Sequence, residues 1–137
     1  MYKSYQAPLA ILARLLLGAI FAISPLVNLI PNFSNVAETM RYAGVPAAQL
    51  LLTAAIVFLL VGSVSLIAGY KAKYGALLLL LFLIPATYYF HAPWKAVDAS
   101  EAGQQIIHFM KNLGLMGAML LVIVLGPGPG SIDEARR

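Results

Sequence analysis

Four apolar stretches dominate the chain, over residues 7–30, 46–68, 74–90 and 106–125, and each is near or above the length that crosses a hydrocarbon core of ~30 Å as a helix. Lipid offers no water to unpaired backbone groups, so segments of this kind span as helices. The composition agrees: 61% of the 137 residues are hydrophobic and 10% are charged, with a mean hydropathy of +0.86. Four spans use more than half the chain and leave no room for an appended catalytic module. The expected fold is all-α, a membrane-spanning antiparallel four-helix bundle over residues 1–125, with residues 126–137 as a Gly/Pro-rich polar tail.

The breaks between the stretches carry turn chemistry. Pro31-Asn32-Phe33-Ser34-Asn35 closes the first, Gly69-Tyr70-Lys71-Ala72-Lys73 joins the second to the third, and Ala92-Pro93 follows the third. Connections this short force up-down-up-down order. Residues 34–42, with Glu38 and Arg41 at i,i+3, read as a short interfacial helix, and Pro46 suits the first position of the second span. Ser100 with Glu101 suits an N-terminal cap on the fourth. The first run carries Arg14 inside and no small-residue cleavage motif, so it is read as a mature helix rather than a signal peptide. Gly126-Pro127-Gly128-Pro129-Gly130 cannot continue a helix, and residues 131–137 read as a solvent-side tail.

Four spans put both termini and the Gly69–Lys73 turn on one side, with Lys3, Lys71, Lys73, Arg136 and Arg137, against Arg41 and Lys95 on the other. The positive-inside rule then places the termini in the cytoplasm. The net charge of +4 is a topology signal, because the basic residues form no stripe with interleaved aromatics and no nucleic-acid partner is expected. Cysteine is absent, which excludes disulfides, thiolate nucleophiles and iron–sulfur ligation. Nucleophilic triads, phosphate-binding glycine loops and metalloprotease motifs are absent too.

Polar side chains in hydrocarbon need a partner or a cavity, so their positions are the functional signal. Ser24 and Asn28 lie at i,i+4 on the first span, Gln49 and Thr53 on the second, and Thr87 and His91 on the third. Gln104, His108, Lys111 and Asn112 share one face of the fourth. All fall in the half of the membrane away from the termini, which predicts a polar pocket opening outward, with Tyr88, Tyr89 and Trp94 as an aromatic belt at its level. Lys111 lies about a turn and a half inside its span, where an ionised group costs about 2.5–3.5 kcal/mol. It either snorkels to the interface or turns inward to an anion or a quinone carbonyl.

His91 and His108 end the third span and begin the fourth, so a hairpin brings the imidazoles within reach of each other. They read as proton carriers, as hydrogen-bonded structural groups or as axial ligands; two histidines without a third ligand are a weak signal for metal or haem, and no metal site is expected. Arg14 is assigned a structural role, capping neighbouring carbonyls, against a reading in which it fixes an anion and pairs through Ser63 or Ser65. Gly18, Gly62, Gly75, Gly114 and Gly117 are expected to let helices approach closely. Asp98 and Glu101 are a solvated linker that caps the fourth span.

Arg14-Leu15-Leu16-Leu17-Gly18 with Phe21 and Ser24, Tyr42-Ala43-Gly44-Val45-Pro46 before the second span, and His108-Phe109-Met110-Lys111-Asn112-Leu113-Gly114 on the fourth resemble the DoxX family of small four-helix membrane proteins. The likeness covers nearly the whole chain. Pro25 and Asn28 stand where that family carries a Gly and often a Lys. The resemblance implies a bundle in the bacterial cytoplasmic membrane and, from its best understood members, a subunit of a thiosulfate:quinone oxidoreductase.

Two functions compete on these residues. In the first, the chain is a component of a quinone-linked oxidoreductase whose pocket holds a quinone head group or a small sulfur oxyanion. His108, Lys111 and His91 then stabilise charge or move protons, and Asn28, Gln49, Asn112, Ser24, Thr53 and Gln104 orient the ligand. Electrons come from another membrane or redox subunit. In the second, the chain is a non-enzymatic accessory subunit of a larger membrane complex, for which residues 77–83, apolar on all sides, offer a surface to lipid or a partner helix. Unbroken spans without paired half-repeats argue against an alternating-access transporter.

Overall fold

The computed structural model describes residues 3–136. Arg137, one of the basic residues assigned above to the terminal side, lies outside them, as do Met1 and Tyr2. Helix α1 (Gln6–Ser24) runs into a π-helical turn at Pro25–Leu29, followed by a short α2 (Phe33–Tyr42). Then come α3 (Ala48–Ala68), α4 (Ala72–Phe90), a 3-10 turn at Pro93–Lys95, α5 (Ala99–Leu125) and α6 (Ile132–Ala135), with no strand among the described residues. Four helices are long and apolar enough to cross a membrane: Gln6–Leu29, Ala48–Ala68, Ala72–Lys95 and Ala99–Leu125. The chain is a multi-pass membrane protein built as an all-α antiparallel bundle. Its end holding both termini is called the near end below and the opposite one the far end.

Local chemistry sets the element boundaries. Pro25 has no N–H for the Phe21 carbonyl, and the helix widens there, with the Ile30 N–H bonded to the Pro25 carbonyl at 3.0 Å. Gly44 and Gly69 take φ of +86° and +63° and close α2 and α3 in Schellman motifs, with the Val45 N–H on Met40 and the Tyr70 N–H on Ser65. Pro46 does not open α3: Ala47 is left-handed at φ +47°, and the helix starts after it at Ala48. Nor does Ser100 cap α5. Asp98 accepts from the Glu101 N–H at 2.8 Å while Glu101 accepts from the Val97 N–H at 3.0 Å, a reciprocal capping box.

Helices α3 and α4 form the centre, α1 packs on α3 and α5 packs on α4. The apolar residues 77–83 therefore do not face lipid all round: Leu79 and Leu83 are buried between neighbouring helices, as suits a helix with no polar face. The least buried span is α5. Phe21, Leu59, Leu66, Leu79, Leu115 and Met119 make the main core, while Met40, Val45 and Leu52 make a smaller one at the far end. Close approach comes from glycine where α3 crosses α4, since a Cβ on Gly62 would sit 3.0 Å from the Gly75 carbonyl oxygen. Gly18 packs against Ile67, whereas Gly114 and Gly117 face open space on α5 and bring no helix closer.

Residues 127–133 do not project into solvent as a tail. Helix is impossible across the Pro-Gly run, so its carbonyls are free, and the buried Arg14 takes them. Its Nη1 donates to the carbonyls of Pro127 at 2.7 Å and Pro129 at 3.3 Å, and Nη2 to that of Gly130 at 2.8 Å. Beyond it the Asp133 carboxylate accepts from the Lys71 and Ala72 N–H groups at 2.8 and 2.9 Å, capping α4, while its own N–H donates to the Gly69 carbonyl. Arg14 bonds neither Ser63 nor Ser65, whose hydroxyls donate to Leu60 and to Tyr70 and Lys71.

Candidate functional site

At the far end the helices part around a cavity of about 530 Å³ bounded by α1, its π turn, α2, α3 and α4. Two prolines shape it. Pro25 starts the π turn whose Asn28 and Leu29 line the cavity, and Pro85 in α4 leaves the Leu81 carbonyl without its helical donor beside it. Leu52, Phe58, Leu81 and Phe82 give the body an apolar wall, and Leu51 and Leu81 are exposed on the bilayer side, so the cavity opens laterally to lipid. Ser24, Asn28, Thr39, Tyr89 and His91 supply its polar groups. The volume and the few convergent polar groups suit a small amphipathic molecule.

The polar pairs read from the sequence divide between three places. Ser24, Asn28 and His91 line the cavity. Gln49 and Thr53 point outward from α3, where the Thr53 hydroxyl donates to the Gln49 carbonyl at 2.9 Å, because the 100° step from Leu52 to Thr53 carries that face past the wall. Thr87 and Asn112 meet between α4 and α5, buried, with Asn112 Nδ2 donating to Thr87 Oγ1 at 3.0 Å. Gln104, His108 and Lys111 are exposed on α5, and none lines the cavity, because α4 stands between it and α5.

His91 connects the two sides. Its ring lies in the cavity wall and stacks on that of His108, with centroids 4.9 Å apart and planes tilted by 30°. Gln105 Oε1 lies 3.2 Å from His91 Nδ1, and in the tautomer that donates from Nδ1 to this oxygen Nε2 is left as the acceptor. Sequence reasoning passed over Gln105 in favour of Gln104; the signal was its i,i+3 spacing to His108, which puts it on the edge facing α4. Thr39 in the wall was also missed, because α2 was read only as an interfacial helix, whereas Tyr89, read as part of the aromatic belt at this level, lines the cavity. Around the pair, Lys95 lies over the Tyr88 ring at 4.5 Å and Trp94 packs edge-on against Phe109. Among the described residues no three His, Asp or Glu side chains gather as a metal site.

Comparison with known proteins places these features in a wider set. The sequence profile of the family described as DoxX matches residues 9–92. The chain is similar to the inner membrane protein YphA of Escherichia coli, 26% identical over 92% of this chain and 89% of the relative. It is also similar to the inner membrane protein YqjF of the same organism, 28% identical over 90% of this chain and 88% of that protein. A Surfeit locus protein 4 homolog of Drosophila melanogaster is 30% identical over 54% of the chain, which covers 28% of that longer protein. No solved structure matches.

Proposed function

We propose, from the premise that the chain belongs to the DoxX family, that it is a component of a quinone-linked oxidoreductase, with the quinone head group in the far-end cavity. One observation carries the reading: His91 is at once in the cavity wall and stacked on the exposed His108, so a proton can pass between a lipid-side ligand and the membrane surface. The lateral opening admits a molecule dissolved in the bilayer, the apolar wall takes its body, and Asn28 and Ser24 offer donors to a quinone oxygen. Reduction of a quinone to a quinol takes two electrons and two protons. His91 delivers protons from Nε2 once charged and is recharged through His108, and Lys111, on the same end of α5, adds positive charge near the pair. The electrons come from a partner redox subunit.

Both similar bacterial proteins are inner membrane proteins by name, and the basic residues gather at the near end. These observations support the reading that the chain sits in a bacterial cytoplasmic membrane with its termini in the cytoplasm and the cavity toward the outside. The test is native mass spectrometry and an absorption spectrum of the protein purified in mild detergent, with short-chain ubiquinone titrated in. Retained quinone, weakened tenfold or more by His91→Ala in a folded protein, is the expected result. A protein that takes up no quinone, or binds it equally well without His91, overturns the reading. The exposed lower face of α5, with Leu120, Leu121 and Val124, favours the second reading, an accessory subunit seated against a larger complex. Co-purification of that complex with a quinone-free protein supports it.

A further inference from the structure

The polar face of α5 that the cavity leaves out has its own ligand. We propose that Gln104, His108 and Lys111 bind the phosphate headgroup of an anionic phospholipid in the leaflet at the far end. The three lie at i, i+4 and i+7 on the bilayer-facing side of the helix, all exposed, and none makes a side-chain hydrogen bond to another described residue. Their neighbours on the inward side are satisfied: Asn112 holds Thr87 and Gln105 holds His91.

The charge of Lys111 has no answer within the chain. The five acidic residues are Glu38, Asp98, Glu101, Asp133 and Glu134, and none falls deeper in α5 than Glu101. Asp98 and Glu101 are engaged in the capping box, and ten residues of helix at 1.5 Å each put Glu101 about 15 Å above Lys111. A second copy packed face to face would bring lysine against lysine. The counter-charge must therefore come from the surroundings, and the membrane offers phosphate at the right depth.

Geometry fits that source. Side chains of a helix lean toward its N-terminus, which in α5 is the far-end interface, so the Lys111 stem carries its ammonium up to the level of His108. Trp94 and Tyr88, both exposed, mark the headgroup zone above it. A phosphate there meets the ammonium, an imidazole N–H and the Gln104 amide on one face. Below Lys111, Gly114 and Gly117 face open space and Met110, Leu113 and Leu121 are exposed, an apolar surface for the first part of an acyl chain.

The test is native mass spectrometry of the full chain in detergent, titrated separately with phosphatidylglycerol, phosphatidylcholine and inorganic phosphate. The wild type is expected to hold phosphatidylglycerol at least fivefold better than phosphatidylcholine. K111M, which keeps the stem without the charge, brings that ratio below twofold, and K111R retains it. Lys111 is exposed, so the variants are expected to keep the helical circular dichroism of the wild type, which is measured alongside. Equal binding of the two lipids, or a full preference in K111M, overturns the proposal. So does displacement of phosphatidylglycerol by millimolar inorganic phosphate, which marks a free-anion site, or a co-purifying protein that K111M releases while lipid binding is unchanged. His91→Ala is read in the same experiment: loss of quinone with the lipid preference intact separates this site from the cavity.

Discussion

The two ends of the bundle treat a cation within a span in opposite ways. At the near end Arg14 is 4% exposed and donates to three carbonyls of a segment more than 110 residues away in sequence, and that segment caps α4 through Asp133. At the far end Lys111, as deep in its span, is exposed and bonded to nothing in the chain. Backbone follows the same division. Near the termini α3 and α4 cross at glycine contact; toward the far end the proline-containing stretches of α1 and α4 border a cavity. Polar groups satisfied inside the fold hold it together, and those left open are the ones available to the proposed ligands.

The comparison breaks most severely if the near end loses its strap. Ending the chain after Gly126 leaves the Arg14 guanidinium in hydrocarbon without acceptors, and an uncompensated buried charge costs about 3–5 kcal/mol. Thermal unfolding in detergent should show that loss. R14A in the full chain costs less, because it removes the charge and leaves neutral carbonyls, and combining the two adds little beyond the truncation. Additive losses would mean that the strap and Arg14 act separately.

Next in size is the glycine crossing. In G62A the new methyl meets the Leu79 side chain and lies 3.0 Å from the Gly75 carbonyl oxygen, and backbone cannot yield as a side chain can. Overpacking of this kind costs about 1–3 kcal/mol. G117A, where nothing lies within 4 Å, should leave the same melting curve unmoved. Equal responses at the two positions would remove close packing from the description of the near end.

The division was legible in part. Span number, helix polarity and loop order follow from hydropathy and turn residues, since bilayer thickness fixes helix length whatever the tertiary contacts. That Arg14 caps carbonyls follows from the cost of its charge, but which carbonyls does not: the partner is a Pro-Gly run whose free acceptors look, in sequence, like a linker. Depth is also legible, because residues at matching distance from the span ends share a level. Facing is harder. Gln49 and Thr53 share a level with Asn28 yet turn away from it, and Gln104 and Gln105 exchange roles over one residue, because a 100° step is invisible until neighbours choose the face. The π turn at Pro25 adds a further shift that no regular helical wheel contains.

The smallest expected effect lies on the seam between these regions, where Asn112 and Thr87 join α5 to α4 just below the histidine pair. A buried hydrogen bond in lipid looks strong, yet the separated helices in a membrane also find partners, and measured couplings average about 0.6 kcal/mol. A double-mutant cycle with N112L and T87V should return a value of that order. The single variants should differ. N112L leaves a Thr87 hydroxyl that can turn to the Leu83 carbonyl one turn back in its own helix, whereas T87V strands the Asn112 amide, which has no such recourse, at a cost of about 1–3 kcal/mol. If N112L proves the costlier, or the coupling reaches about 2 kcal/mol, the seam is a second clasp like that at Arg14 and the far end is more rigid than its open polar groups imply. A small coupling leaves α5 able to shift on α4 beside the stacked histidine pair.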